Sequence, residues 1–148
     1  MHPDERSAIV DLTIAYCWAI DERCWDDLAA VFLPNATAVL GVPELCGLDA
    51  IVAHIRATLE PLDASQHLVA NHQVLIHGGQ ATSRCGFQAQ HVRCNAADGR
   101  TYLVGGRYDD ELVRTPDGWR ISRRVLTPVW YEGNPGVLLG DRPPVTPG

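Results

Sequence analysis

The chain has no apolar run near the ~20 residues that a helix needs to cross a bilayer. Its opening, MHPDERSAIV, has no basic segment followed by an apolar one, so no secretory leader is expected. It also lacks an excess of positive charge: 12 Lys and Arg stand against 18 Asp and Glu, for a net charge of -6. Phosphate-binding surfaces need surplus cations, which argues against nucleic acid and anionic membranes as partners. No glycine-rich phosphate loop, HExxH or CxxC occurs. The five cysteines (Cys17, Cys24, Cys46, Cys85 and Cys94) are odd in number and read as reduced thiols of a cytoplasmic protein. His67 and His72, five apart on an extended segment, point to opposite faces and cannot share a metal. Neither a metal nor a cofactor is expected.

What remains is an ordinary globular balance, 46% hydrophobic and 20% charged over 148 residues, enough for one domain with one sizeable core. Pro3 and Asp4 suit a helix start. Ile9, Leu12, Tyr16 and Ile20 then recur at helical spacing, predicting a helix that ends near Ile20. Trp25, Leu28, Ala29 and Phe32 predict a second short helix, stopped by Leu33-Pro34-Asn35. ATAVL from Ala36 reads as a short strand. Ile51, Ile55 and Leu59 line one side of a third helix closed by Pro61. Four long strands follow, linked by turns at HGGQ, NAADGR and PDG. Gly86, Gly105 and Gly106 mark bends or bulges within them. The core spans about residues 5–133, and 134–148 reads as an irregular tail. Helices followed by hairpin-linked strands mean α+β, with an antiparallel sheet covered on one face.

Several side chains carry two readings. Asp21 sits in the last turn of the first helix, where a carboxylate meets the negative end of the dipole; it can simply cap the helix that follows. Tyr16 lies on the apolar stripe as a core aromatic whose hydroxyl needs a partner. By alternation His67 shares a face with Val69, Asn71 and Gln73, opposite Leu68, Ala70, Val74 and Ile76. That first face is either solvated or the wall of a partly polar cavity, with the apolar face against another subunit. His91, Phe87 and Ala89 would line the same wall, continued by Val104 and Tyr108. Arg124 competes with Arg120 and Arg123 for an inward position, to meet a substrate oxyanion or to pair with Asp109 or Asp110. His72 and His77 read as structural or surface, and His54 as a helix-surface histidine.

The stretches AYCWAIDERCWDDLAAVF, SQHLVANHQV, GGRYDDELVRTPDGWRISRR and VWYEGN resemble the SnoaL-like branch of the nuclear transport factor 2-like superfamily, from about Glu5 to Asn134. The resemblance implies a cone or half-barrel: a curved antiparallel sheet with N-terminal helices packed on it. Scytalone dehydratase, a bile-acid dehydratase and hexachlorocyclohexane dehydrochlorinase, members that match residue by residue, share an Asp–His pair that matches Asp21 and His67. Tyr16 matches a tyrosine five residues before that Asp, and Arg124 an arginine of the final strand. On the second long strand the bile-acid dehydratase pattern carries a further acid, and scytalone dehydratase a second histidine. Here the candidates are Gln88, Gln90 and His91, and parity selects His91.

The resemblance therefore implies a cofactor-independent lyase or isomerase, dehydratase-like, acting on a cyclic and largely apolar substrate such as a polyketide, steroid or terpenoid. Asp21, His67, Tyr16 and Arg124 would be catalytic; His91, Asn71, Val69, Phe87, Ala89, Val104 and Tyr108 would bind substrate. A cyclase or epoxide hydrolase could use the same pocket. A non-catalytic ligand-binding or assembly module would instead leave Asp21 and His67 apart, or the cavity filled. Members of this branch imply a homo-oligomer, with a trimer ahead of a dimer.

Overall fold

The computed structural model of the chain describes residues 4–139. Helix α1 (Glu5–Asp21) starts where Asp4 accepts from the Arg6 backbone N–H (3.1 Å) and the Ser7 hydroxyl (3.2 Å). Pro3, the other expected start residue, lies outside the described residues. The helix closes in a Schellman turn, in which the Cys24 N–H reaches the Ala19 carbonyl (2.8 Å). Arg23 takes the left-handed position (φ 64°) that glycine usually fills there.

The expected second helix is a short 3-10 segment, Trp25–Ala30, and Phe32 is not part of it. Strand β1 (Phe32–Val39) begins there and runs through Leu33-Pro34-Asn35, which do not stop a helix. Pro34 is tolerated because pairing with the last strand is interrupted between Phe32 and Thr37, where its missing N–H costs no ladder bond. A two-residue strand β2 (Leu45–Cys46) and helix α2 (Leu48–Leu59) follow, the latter burying Ile51, Ile55 and Leu59 as expected.

The four long strands are β3 (Ala64–His77), β4 (Gln80–Val92), β5 (Thr101–Thr115) and β6 (Gly118–Gly133). They complete a curved, open six-stranded sheet ordered β2-β1-β6-β5-β4-β3. The α+β architecture agrees with the sequence reading, with one difference. β1 runs parallel to β6, while the other pairs are antiparallel. Tight hairpins force antiparallel pairing only between consecutive strands, and β1 and β6 are far apart in the chain. Helix α1 packs on β3 and β6, and α2 on β1 and β2, so the core lies between the helices and one sheet face.

Two of the sheet's register shifts lie near the cavity. Register shifts between Ala70 and Gln73, where Asn71 adopts a left-handed φ of 61°. This bulge reverses the alternation: Ser65, His67 and Val69 face inward before it, and His72, Val74 and Ile76 after it. Asn71 is exposed, so its expected pocket role fails, and His72, expected on the opposite face, shares the inner face with His67, as do Val74 and Ile76. A second shift falls between Gly105 and Gly106, opposite Trp130 and Pro128. There the Trp130 indole occupies the space a Cβ on Gly105 would need.

The segment expected to be irregular from residue 134 is partly ordered. Asn134 Nδ2 donates to the carbonyls of Ala97 (2.7 Å) and Gly99 (2.9 Å), and a single turn, α3 (Gly136–Leu139), buries Val137. Residues 140–148 of that tail lie outside the described residues. No described helix is long and apolar enough to cross a membrane.

Candidate active site

Asp21 ends α1 with its side chain turned toward β3. Its Oδ1 accepts from His67 Nδ1 (2.7 Å) and from the Ser65 hydroxyl (2.9 Å), and its Oδ2 accepts from the His67 backbone N–H (2.6 Å). The helix-cap reading of Asp21 is therefore incorrect: Cys24 precedes the 3-10 segment, and no side chain caps it. Burial would raise the Asp21 carboxyl, but the His67 and Ser65 hydrogen bonds and the His67 charge hold it below the usual 3.8. The Arg23 guanidinium donates to both Ser65 Oγ (2.9 Å) and the Ile20 carbonyl (2.8 Å), tying the end of α1 to the base of β3. Neither Arg23 nor Ser65 was singled out from the sequence, because their link depends on helix and strand meeting in space.

With Nδ1 engaged, His67 presents Nε2 to a cavity of about 330 Å³. The His67 side chain is only 7% exposed, so it works at a largely desolvated wall. His91 stands beside it, the ring centroids 5.9 Å apart and nearly perpendicular. Its Nδ1 donates to the Tyr102 carbonyl (2.8 Å), which leaves its Nε2 free as well. Burial pushes the His91 pKa down; the Tyr102 carbonyl opposes this and the His67 charge adds to it.

Aromatic rings form the floor. Tyr16 meets Tyr108 edge-on at 5.8 Å, and Tyr108 stacks on Phe87 at 4.6 Å. Both Tyr16 and Tyr108 line the cavity. Burial raises the Tyr16 hydroxyl to about 12 against the opposing charge of Arg124. Ala89 and Val104 complete the wall as expected. Val69 faces inward but packs into the core and does not reach the cavity.

Arg124 does not reach the cavity either. It lies beneath the floor, fully buried, with its guanidinium 4.4 Å from the Tyr16 ring centre and 4.0 Å from that of Tyr108. Its Nε and Nη2 grip the two oxygens of Asp110 at 2.7 and 2.8 Å. Its role as a group touching substrate is corrected by this placement. The ion-pair alternative holds, with Asp110 as the partner; Asp109 instead pairs with Arg107.

Sequence reasoning missed several wall residues. His54, expected on the helix surface, is half-buried on α2 and lines the cavity with Thr58 one turn on. Both flank the Ile51–Ile55–Leu59 stripe, a signal that was available but equally fits a solvated flank. Tyr102, Pro128, Pro135 and Leu138 also line it, so the C-terminal segment closes one side. His72 donates through Nε2 to Thr13 (2.8 Å), a structural bond, and His77 is exposed. Among the described residues no group of three or more His, Cys, Asp or Glu could hold a metal, and none of the five cysteines is paired.

Helices packed on one face of a curved, open sheet define the fold class. Residues 2–125 match the SnoaL-like domain, and the chain belongs to that family. The uncharacterised protein Rv2910c of Mycobacterium tuberculosis is 37% identical over 83% of this chain and 84% of its own. The Kfla4162 protein of Kribbella flavida superposes with a TM-score of 0.81 at 31% identity, over 86% of this chain and 93% of that one. A scytalone dehydratase-like protein of Novosphingobium aromaticivorans shares the fold (TM-score 0.78, 21% identity, 88% and 87% covered). So does a hexachlorocyclohexane dehydrochlorinase of Novosphingobium barchaimii (0.77, 16%, 88% and 90%).

Proposed function

We propose that this protein is a lyase or isomerase that removes a carbon-bound proton from a neutral cyclic substrate. His67 Nε2 takes the proton from a carbon next to a carbonyl, and Asp21 stabilises the imidazolium that forms. The electron pair left on carbon forms the new double bond as a β-hydroxyl departs. That hydroxyl takes the proton from His67 and leaves as water, while His91 accepts a hydrogen bond from it beforehand. Tyr16 donates to the developing enolate oxygen. Arg124 supports Tyr16 from below. The chemistry needs no cofactor.

The observation that carries this reading is the two-point hydrogen bonding between Asp21 and His67 at the wall of an open cavity. The cavity, about 330 Å³, lies at the small end of ligand sites, which suits a compact substrate of one or two rings within the polyketide, terpenoid or steroid range. The fold shared with dehydratase-type proteins supports the same class. A panel of cyclic β-hydroxyketones, followed by the rise in enone absorbance, tests it. The wild type should turn over a member that Asp21→Asn and His67→Ala leave nearly untouched. Full activity of both variants on that substrate overturns the reading.

The same reading includes a homo-oligomer, a trimer before a dimer. Leu68, Leu75 and Trp130 lie exposed on the outer face of the sheet, which supports self-association. Light scattering at micromolar concentration decides it: a monomer mass contradicts the expectation.

A further inference from the structure

We infer that His54 and Thr58 form a second ligand-binding station, which accepts hydroxyl hydrogens from the end of the ligand remote from His67. The inference rests on the cavity being a substrate site, as proposed above, and extends that reading to the substrate's second functional group.

Besides the tyrosine hydroxyls, the polar side chains of the cavity fall into two separate places. His67 and His91 stand on β3 and β4, at one edge of the sheet. His54 and Thr58 stand on α2, which packs against β1 and β2 at the other edge. Apolar side chains such as Ile55, Leu59, Phe87 and Leu126 make up much of the wall between these edges. Among the described residues no Arg, Lys, Asp or Glu lines the cavity, so an ionic ligand would meet no counter-charge from them, and a neutral one is favoured.

Hydrogen bonding fixes what the α2 station can do. His54 Nε2 is 3.1 Å from the Leu40 carbonyl, which can only accept, so that nitrogen carries the proton. Nδ1 of the neutral ring is then a bare acceptor. The Thr58 hydroxyl spends its hydrogen on the His54 carbonyl at 2.8 Å, so only its lone pairs remain. Both groups therefore seek donors. The β3–β4 edge follows the same rule, since His67 and His91 each commit Nδ1 to an acceptor of the protein. The complementary ligand is neutral and apolar in its middle, and carries hydroxyl donors at both ends. One hydroxyl serves the reacting end, and the other anchors on α2.

Binding of three naphthols at pH 8, above the usual imidazole range, tests this without turnover. The probes are 2-naphthol, 2,6-dihydroxynaphthalene and 2,7-dihydroxynaphthalene, titrated by calorimetry. At least one diol should bind about 3–10-fold tighter than 2-naphthol, the gain from one added neutral hydrogen bond. His54→Leu and the isosteric Thr58→Val should each shrink that advantage, read as the ratio of diol to 2-naphthol affinity within the same variant. His54→Gln, which retains an acceptor, should keep part of it. Diols no tighter than 2-naphthol overturn the inference, as does an advantage unchanged in both His54→Leu and Thr58→Val, or no binding of any naphthol. A diol advantage that survives while Asp21→Asn and His67→Ala retain turnover upholds the station and removes only the catalytic dyad.

Discussion

Asp21 and His67 are joined at two points: one carboxylate oxygen meets the ring at 2.7 Å, and the other meets the backbone N–H of the same residue at 2.6 Å. The backbone bond sets where the strand starts relative to the helix end, and the ring bond then sets the imidazole's orientation. The unfavourable place of Asp21, at the negative end of α1, is offset by these donors and by Ser65.

Under the proposed mechanism the pair acts as one unit, so its losses should not add. Asp21→Asn and His67→Ala should each lower kcat by about 10²–10⁴, and the double variant should fall little further than the worse single one. Steady-state kinetics on a turned-over β-hydroxyketone measures this.

Acid should weaken the fold in two separate windows. His72 and His91 are both held below the ordinary 6.5 by burial, aided in His72 by the charge of Arg6 and in His91 by that of His67. The unfolded chain therefore binds these protons at higher pH than the folded one. Their contribution is complete above about 6.5 and is lost as pH falls through the folded values. Tm should rise from pH 5 to 7, and His72→Gln with His91→Gln should flatten that slope. Asp21, held below 3.8, keeps its contribution above that value and loses it only on further acidification. The stability gap between wild type and Asp21→Asn should close there.

How far the sequence reveals this arrangement depends on the distance over which each signal acts. Helical spacing identified the buried faces of α1 and α2, and turn residues separated the four long strands. Alternation placed Phe87, Ala89, His91, Val104 and Tyr108 on one wall, because β4 and β5 pair without a bulge. It failed on β3, where a single left-handed residue reverses the parity and exposes Asn71. The Asp–His pair was legible only through family resemblance, since 46 residues separate the partners. Among Arg120, Arg123 and Arg124 the choice depended on which arginine Asp110 would hold, and strand pairing decides that: Asp110 faces Arg124 across β5 and β6.

That buried ion pair should be costly to break from one side. Arg124→Met or Asp110→Asn alone should destabilise by about 3–5 kcal/mol, because each leaves a polar group without its partner in the core. Arg124→Met combined with Asp110→Leu should cost less than the two separate losses added. Urea unfolding of the three variants checks both statements.

The bulge offers a test of backbone conformation. Asn71→Val places a β-branched residue at φ 61° and should destabilise by about 1–2 kcal/mol, whereas Asn71→Gly should fall within a few tenths of wild type or improve on it. Thermal melts distinguish these from the opposite order, expected if position 71 were an ordinary strand residue.

The most direct test of the central claim is the tautomer of His67, read from its ring nitrogens by ¹⁵N NMR. The account predicts a neutral ring protonated at Nδ1, with a bare Nε2 ready to take a proton, and a loss of this preference in Asp21→Asn. A neutral ring protonated at Nε2 would contradict it, because such a His67 would have no lone pair facing the cavity.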